Sequence, residues 1–464
     1  MTFNSFTFIM IFLPIVVFLE NIFKKTTIKN FILFFSFLLF YFWGSPKFVI
    51  LILLISIFTY IFGILIDKFR KIKKYLVVIY TLILVSILTY YKYADFIIRI
   101  INKLLNQNND FLYLILPLGI SFFTFQSLAY IYDVANDEIK AEKNILKVLC
   151  YLTFFPTITS GPILRYSQVN EELSYRVTSI DNIANGFRLF IIGLGKKLII
   201  ANNVAIIANL GFGADRLVLN WQIAWLSAIA YTLQIYFDFS GYSDMAIGVS
   251  KMLGFTRIKE NFNYPYISKS ISEFWRRWHI SLGSWFKDYI YIPLGGNRVS
   301  KSRWLINIFI VWTITGLWHG ASTIFIIWGL YFGTIIVLEK LFLLKVLDKL
   351  GNFISHLYSL LLITFGWIIF NCSSREEIVD FFKNLFDFSF YYSIQDFKMM
   401  DILYIIVIFV FAIFASTPVI KIYTTKLENS KFAFLYDVIL VFILFASVIL
   451  LVNNTYSPFI YFNF

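Results

Sequence analysis

The chain has 464 residues, 59% of them hydrophobic and 20% aromatic, with a formal charge of +13. A soluble domain is usually about 45–50% apolar, so this composition excludes an ordinary water-soluble fold. The basic residues flank apolar runs, which assigns them to orientation and anionic-lipid contact rather than to nucleic acid, while two distant cysteines and three unpaired histidines argue against a disulfide scaffold or a metal centre.

Residues 5–23 lack a basic leader and a small-residue cleavage site, and read as a retained first span. Crossing hydrocarbon takes roughly 20 apolar residues as a helix. Further spans are predicted at 29–44, 47–66, 75–91, 111–132, 182–208, 219–240, 353–371, 400–420 and 433–452, with a helical hairpin over 304–339. The expectation is therefore an all-α polytopic membrane protein of about ten spans plus the hairpin. No polar or Pro/Gly/Ser-rich linker interrupts it, so residues 1–464 are expected to form a single transmembrane domain. Lys24, Lys25 and Lys29 follow the first span, and Lys68, Arg70, Lys71, Lys73 and Lys74 follow the third. The positive-inside rule puts both loops in the cytoplasm and the N-terminus outside. Alternation then places 241–303 inside, where ten Lys and Arg outnumber the acids, and the C-terminus outside.

Two stretches do not read as plain spans. "LTFFPTITSGPILR" (152–165) is broken by Pro156, Gly161 and Pro162, and irregular backbone at membrane depth survives only when buried in protein or lining a wet cavity. A re-entrant segment is predicted there. "YISKSISEFWRRWHISLGSWFKDYIYIPLGG" (266–296) is too polar to span and too aromatic for a free loop, which predicts amphipathic helices in the inner interface.

His319 is the most conspicuous chemical group. It lies sixteen residues after Arg303, about 24 Å along a straight helix, between Gly316 and Gly320. An ionisable ring at that depth is costly and is functional by default. Two readings stand: a neutral imidazole that removes a proton from a hydroxyl, or a hydrogen-bonded ring that holds helices together. His279 belongs to the interfacial stretch with Arg276, Arg277, Trp275 and Trp278. These arginines suit either phosphate groups or lipid headgroups. Lys196 and Lys197 sit within a span and must face a cavity or snorkel. In "YFDFSGYSDMAIG" (236–248), Asp238, Ser240, Ser243 and Asp244 read as the capped end of a span. His356 reads as interfacial. No phosphate-binding loop or dinucleotide fingerprint is present.

At these residues the chain resembles a known family. "NFNYPYISKSISEFWRRWHISLGSWFKDYIYIPLGGNR" (261–298), followed by "TGLWHGAS" (315–322), is similar to the membrane-bound O-acyltransferases, in particular the alginate O-acetyltransferase branch. "GISFFTFQSLAYIYDV" (119–134), "SGPILR" (160–165), "DFSGYSDMAIG" and the terminal "SPFIYFNF" (457–464) share that likeness. The resemblance implies many helices around a central tunnel and a cytoplasmic acyl-donor funnel. It also implies a catalytic role for His319, with His279 as a second hallmark. The implied reaction moves an acetyl group from a cytoplasmic thioester, acetyl-CoA, across the membrane with no tightly bound cofactor. A secreted or membrane-anchored hydrolase-like partner then completes O-acetylation of a polysaccharide. Arg276, Arg277, Trp278, Lys196 and Lys197 become candidate donor-binding residues. D-alanyl transfer to teichoic acid from a carrier-protein thioester is the alternative within the family, and a lipid or polysaccharide flippase the alternative outside it. Heavy use of Ile, Phe, Lys and Asn points to the plasma membrane of an AT-rich bacterium, with peptidoglycan or another exopolysaccharide as acceptor.

Overall fold

A computed structural model describes residues 3–213, 219–389 and 399–453; the "SPFIYFNF" motif lies outside them. The described residues form nineteen α-helices and no strand. The chain divides into two compact units, residues 1–190 with 243–260, and residues 191–242 with 261–464.

The first unit contains α1 (Leu13–Ile22), α2 (Thr26–Gly44), α3 (Val49–Lys68), α4 (Lys73–Leu105), α5 (Ile120–Ala135), α6 (Ile145–Leu152) and α7 (Tyr166–Ser174), and the start of α8 (Ile180–Gly195). α3 packs on α4, α5 and α6, and α2 on α1, α6 and α7. The span predicted at 111–132 is shorter than expected. Pro117 and the left-handed Gly119 delay the helix to Ile120, and a Cβ on Gly119 would lie 2.2 Å from the Ile158 carbonyl oxygen. In return, 15 of the 16 residues of α5 are buried, as expected of a helix enclosed by others. The segment 153–164 is irregular and wholly buried. Tyr151 Oη holds it by donating to the carbonyls of Leu164 at 3.0 Å and Gln126 at 3.1 Å. The broken backbone is thus enclosed by protein, as its Pro and Gly content required. A buried ion pair completes this unit. Arg176 Nη2 donates to Glu20 at 2.9 and 3.1 Å, and Nη1 to Asn30 Oδ1 at 2.5 Å.

The second unit contains α9 (Asn202–Phe212), the start of α10 (Trp221–Met252), α11 (Ile271–Arg277), α12 (Ile280–Phe286), α13 (Lys301–His319), α14 (Thr323–Leu338), α15 (Leu344–Asn371), α16 (Arg375–Phe386), α17 (Met399–Ala415), α18 (Val419–Glu428) and α19 (Ala433–Asn453). α13 and α14 form the predicted hairpin, and α11 packs against α14 and α15. Its core is strongly aromatic, with Phe274, Trp278, Trp328, Phe332, Trp367 and Phe370 buried together.

Among the described residues, six helical stretches are long and apolar enough to cross a membrane: Thr26–Gly44, Pro46–Lys68, Arg70–Leu105, Ile180–Phe212, Thr323–Asn371 and Ala433–Val452. The bent pair α17–α18, 69° apart, makes a seventh if counted as one span. Ten were expected. Part of the difference is continuity: α14 runs through a π-helical turn at Glu339–Leu343 into α15, so the second hairpin arm and the 353–371 span belong to one stretch, interrupted at Gly351 (φ 84°). Part is polarity, because α10 carries "DFSGYSD" in its interior and continues to Met252. Asp238, Ser240, Ser243 and Asp244 therefore lie along a helix rather than at the capped end predicted for them.

Candidate active site

The α13–α14 hairpin owes its close approach to glycine. A Cβ on Gly316 would stand 2.2 Å from the Phe325 carbonyl oxygen, and one on Gly329 would stand 2.2 Å from that of Trp312. Small residues let backbones touch where apolar burial gives little driving force between membrane helices. His319 is the last residue of α13. Gly320 is extended, and Ser322 caps α14 by accepting from the Ile324 N–H at 3.3 Å. The His319 ring is 3% exposed. Three rings meet it edge-on: Trp318 and Trp328 at 4.9 Å between centroids and Phe370 at 5.2 Å. Each such pair is worth about 0.5–1.5 kcal/mol beyond area burial, so the imidazole is held by the packing itself.

His279 is placed by different means. Ser270 caps α11 by accepting from the Glu273 N–H at 3.0 Å, and α11 ends at Arg277. The "NFN" segment then pairs with the turn that follows. The Asn263 N–H donates to the Arg277 carbonyl at 2.9 Å, and the Ile280 N–H to the Asn261 carbonyl at 3.0 Å. Asn261 Oδ1 accepts from both the N–H and the Oγ of Ser281, at 3.0 and 2.9 Å. These bonds hold His279 in the left-handed region, at φ 43° and ψ 55°, a conformation costing a non-glycine residue roughly 1–2 kcal/mol. The ring is 1% exposed, and burial pushes its pKa down to about 3, so it is neutral at physiological pH. It packs edge-on against Phe239 at 4.7 Å and lies 5.8 Å from Trp318. The Trp318 indole is thus in ring contact with both histidines.

A cavity of about 430 Å³ opens beside this pair. Its wall includes the buried His279, Trp278 and Thr315 and the half-buried Trp275 and Trp312, while Arg276, Lys287 and Lys340 line it as exposed cations. An aromatic interior with cations at its exposed rim suits a molecule with an anionic head and an apolar or neutral arm.

The structure brings His279, Arg276 and Trp278 to this cavity. His319 is not on its lining, but Thr315, one turn earlier in α13, is. Arg277 turns away, bonded through Nε to Glu273 at 3.0 Å and through Nη1 to the Asn263 carbonyl at 3.2 Å. Lys196 and Lys197 stand on a π-helical turn, Lys196–Ala201, away from the cavity lining. Lys197 forms a buried 2.5 Å ion pair with Asp238. His356 Nδ1 donates to the Ser268 carbonyl at 3.2 Å, a strut below α11. Lys287 and Lys340 were not anticipated, although Lys287 lies within the quoted 261–298 motif. Nothing in the local sequence marks Asn261 as the residue that shapes the His279 turn.

The chain is 36% identical over 396 residues to the Pseudomonas aeruginosa protein named "Probable alginate O-acetylase AlgI", covering 84% of this chain and 75% of that protein. It is 32% identical over 425 residues to the peptidoglycan O-acetyltransferase of Helicobacter pylori, covering 82% of this chain and 79% of that protein. The Bacillus subtilis teichoic acid D-alanyltransferase is 34% identical over 238 residues, 48% of this chain and 59% of that protein. Residues 69–375, which contain the cavity and both buried histidines, match the membrane-bound O-acyltransferase family, and the chain belongs to it.

Proposed function

We propose that this multi-pass membrane acyltransferase moves an acetyl group from acetyl-CoA, bound at the cavity rim, to a hydroxyl destined for an extracytoplasmic polysaccharide. The observation that carries the reading is the placement of two buried histidines in ring contact with one indole, beside a cavity rimmed by three cations. Arg276, Lys287 and Lys340 bind the donor's phosphates, and the aromatic wall accommodates its neutral arm. His319 is the general base. The acceptor oxygen bonds to the acetyl carbonyl carbon, and its proton passes to the His319 imidazole. The carbon–sulfur bond breaks, and the proton returns to the departing thiolate to give free coenzyme A. His279 is neutral at working pH and lies on the donor side, where it polarises or orients the thioester. The bacterial plasma membrane is the setting. A secreted or membrane-anchored hydrolase-like protein passes the group to the final sugar.

Similarity to the alginate and peptidoglycan O-acetylating proteins spans more than four-fifths of the chain, against about half for the D-alanyltransferase. This favours acetyl over D-alanyl transfer. Vesicles holding the purified protein test the donor. Labelled acetyl-CoA is expected to be consumed with release of free thiol, whereas D-alanyl carrier-protein thioester is expected to be inert. The opposite pattern would assign the chain to D-alanyl transfer.

A further inference from the structure

Behind the cavity wall stands a buried carboxylate that the reaction does not consume, flanked by the lining residues Ile336 and Lys340. Glu339 is 1% exposed and opens the π-helical turn Glu339–Leu343 between α14 and α15. In sequence it reads as the acid at the end of a hairpin arm, beside Lys340. The π-helical turn instead directs it inward. Its Oε1 accepts from the Ile271 N–H at 2.6 Å and its Oε2 from the Ser272 N–H at 2.8 Å, while Tyr358 Oη donates to Oε1 at 3.3 Å. Both backbone donors belong to the first turn of α11. That helix carries Trp275 and Arg276, and it leads into the turn that holds His279.

We propose that Glu339 is a positioning residue for donor binding, fixing α11 to the α14–α15 junction so that Arg276, Trp275 and His279 face the cavity. This rests on the acyl-transfer reading above. The neighbours of the contact support it: Ser272, whose N–H the carboxylate takes, and Ile336 and Lys340, on either side of Glu339 in sequence, all line the cavity. Trp275 then seats against Trp312 at 4.9 Å and Phe332 at 5.1 Å on the hairpin, and Trp278 against Trp367 on α15 at 4.8 Å. A glutamine at 339 retains one acceptor oxygen but turns an N–H₂ group toward the second backbone donor, so one N–H loses its partner. A group that holds α11 through two convergent bonds controls where the guanidinium of Arg276 stands.

The test uses the full-length protein in vesicles with acetyl-CoA varied. Glu339→Gln is expected to raise KM for acetyl-CoA about tenfold and lower kcat less than threefold. A merely structural role would lower the active fraction and hence Vmax at constant KM, and that result would overturn the proposal. Arg276→Ala is expected to raise KM too, and the double variant to raise it by less than the product of the two factors, because Glu339 acts through α11. Full multiplicativity would contradict that coupling. Hydrogen exchange at the Ile271 and Ser272 amides needs no donor and is expected to accelerate at least tenfold in Glu339→Gln; unchanged exchange would overturn the positioning role. Should wild type transfer nothing from acetyl-CoA, the parent reading fails and the exchange result alone judges Glu339. If Glu339→Gln does not fold, Tyr358→Phe, which removes one hydroxyl donor, decides: about a twofold KM rise supports the role and no change overturns it.

Discussion

The two buried histidines are nearly equal in exposure, yet they are built in opposite ways. His319 terminates the 19-residue helix α13 and is held by rings, with Trp318, Trp328 and Phe370 edge-on around it. His279 stands between two seven-residue helices in a left-handed turn that hydrogen bonds from Asn261 enforce, and it lines a cavity rimmed by cations. One is fixed by packing far along a helix and the other by backbone bonding at a cavity wall. The difference supports the proposed division of labour, in which the cavity residue meets the donor and the ring-enclosed residue handles the proton.

Substitutions separate the two roles. The largest effect is expected at His319. Replacing it with Ala removes the proposed base, so acetyl transfer should fall about a thousandfold, with KM for the donor little changed. An equal loss in kcat and gain in KM would place His319 at the donor site instead. At His279, Asn is the informative replacement because it tolerates the left-handed backbone. His279→Asn should lower kcat/KM for acetyl-CoA about ten- to a hundredfold while the protein melts as wild type. His279→Ala should in addition lose about 1 kcal/mol of stability. Activity near wild type in His279→Asn would leave that ring a purely structural part. The smallest effect is expected from a single rim cation: Arg276→Ala should raise KM several-fold at unchanged kcat, with the gap narrowing as salt rises. A fall in kcat alone would break the assignment of Arg276 to phosphate binding.

Much of this comparison was legible in the sequence. Apolar run length marked most of the helices, and the 16-residue interval from Arg303 set His319 deep along α13, whereas the late start of α5 after Pro117 and Gly119 was not foreseen in the span predicted at 111–132. The glycines around it permit a helix end or a close backbone approach; α13 ends at His319, and a Cβ on Gly316 would stand 2.2 Å from the Phe325 carbonyl oxygen. The "RRWHISL" stretch, read as interfacial helix with arginines for phosphates or headgroups, supplies Arg276, Trp278 and His279 to the cavity lining. Charge alone did not separate its partners. Lys197 looked like Arg276 in composition, but it is spent on Asp238 forty-one residues away, a contact only the folded unit creates. Arg277 differs from Arg276 by one position, and that rotation turns it to Glu273 instead of the cavity. Glu339 and Lys340 escaped notice because a π-helical turn changes which face a residue presents, and helical periodicity does not reveal such a turn. The expected ten spans and the six or seven long apolar stretches among the described residues differ where helices merge through the turn after α14 or carry polar residues, since hydropathy reads length and not continuity.

The most direct measurement of the central claim follows acetyl label across a sealed membrane. Purified protein is reconstituted in vesicles with a soluble hydroxyl acceptor on one face and labelled acetyl-CoA on the other, and ester-linked label is collected from the acceptor face. Wild type is expected to deliver label at a rate proportional to protein. His319→Ala, inserted and melting as wild type, is expected to deliver none above the protein-free background. Delivery by His319→Ala at the wild-type rate would contradict the account.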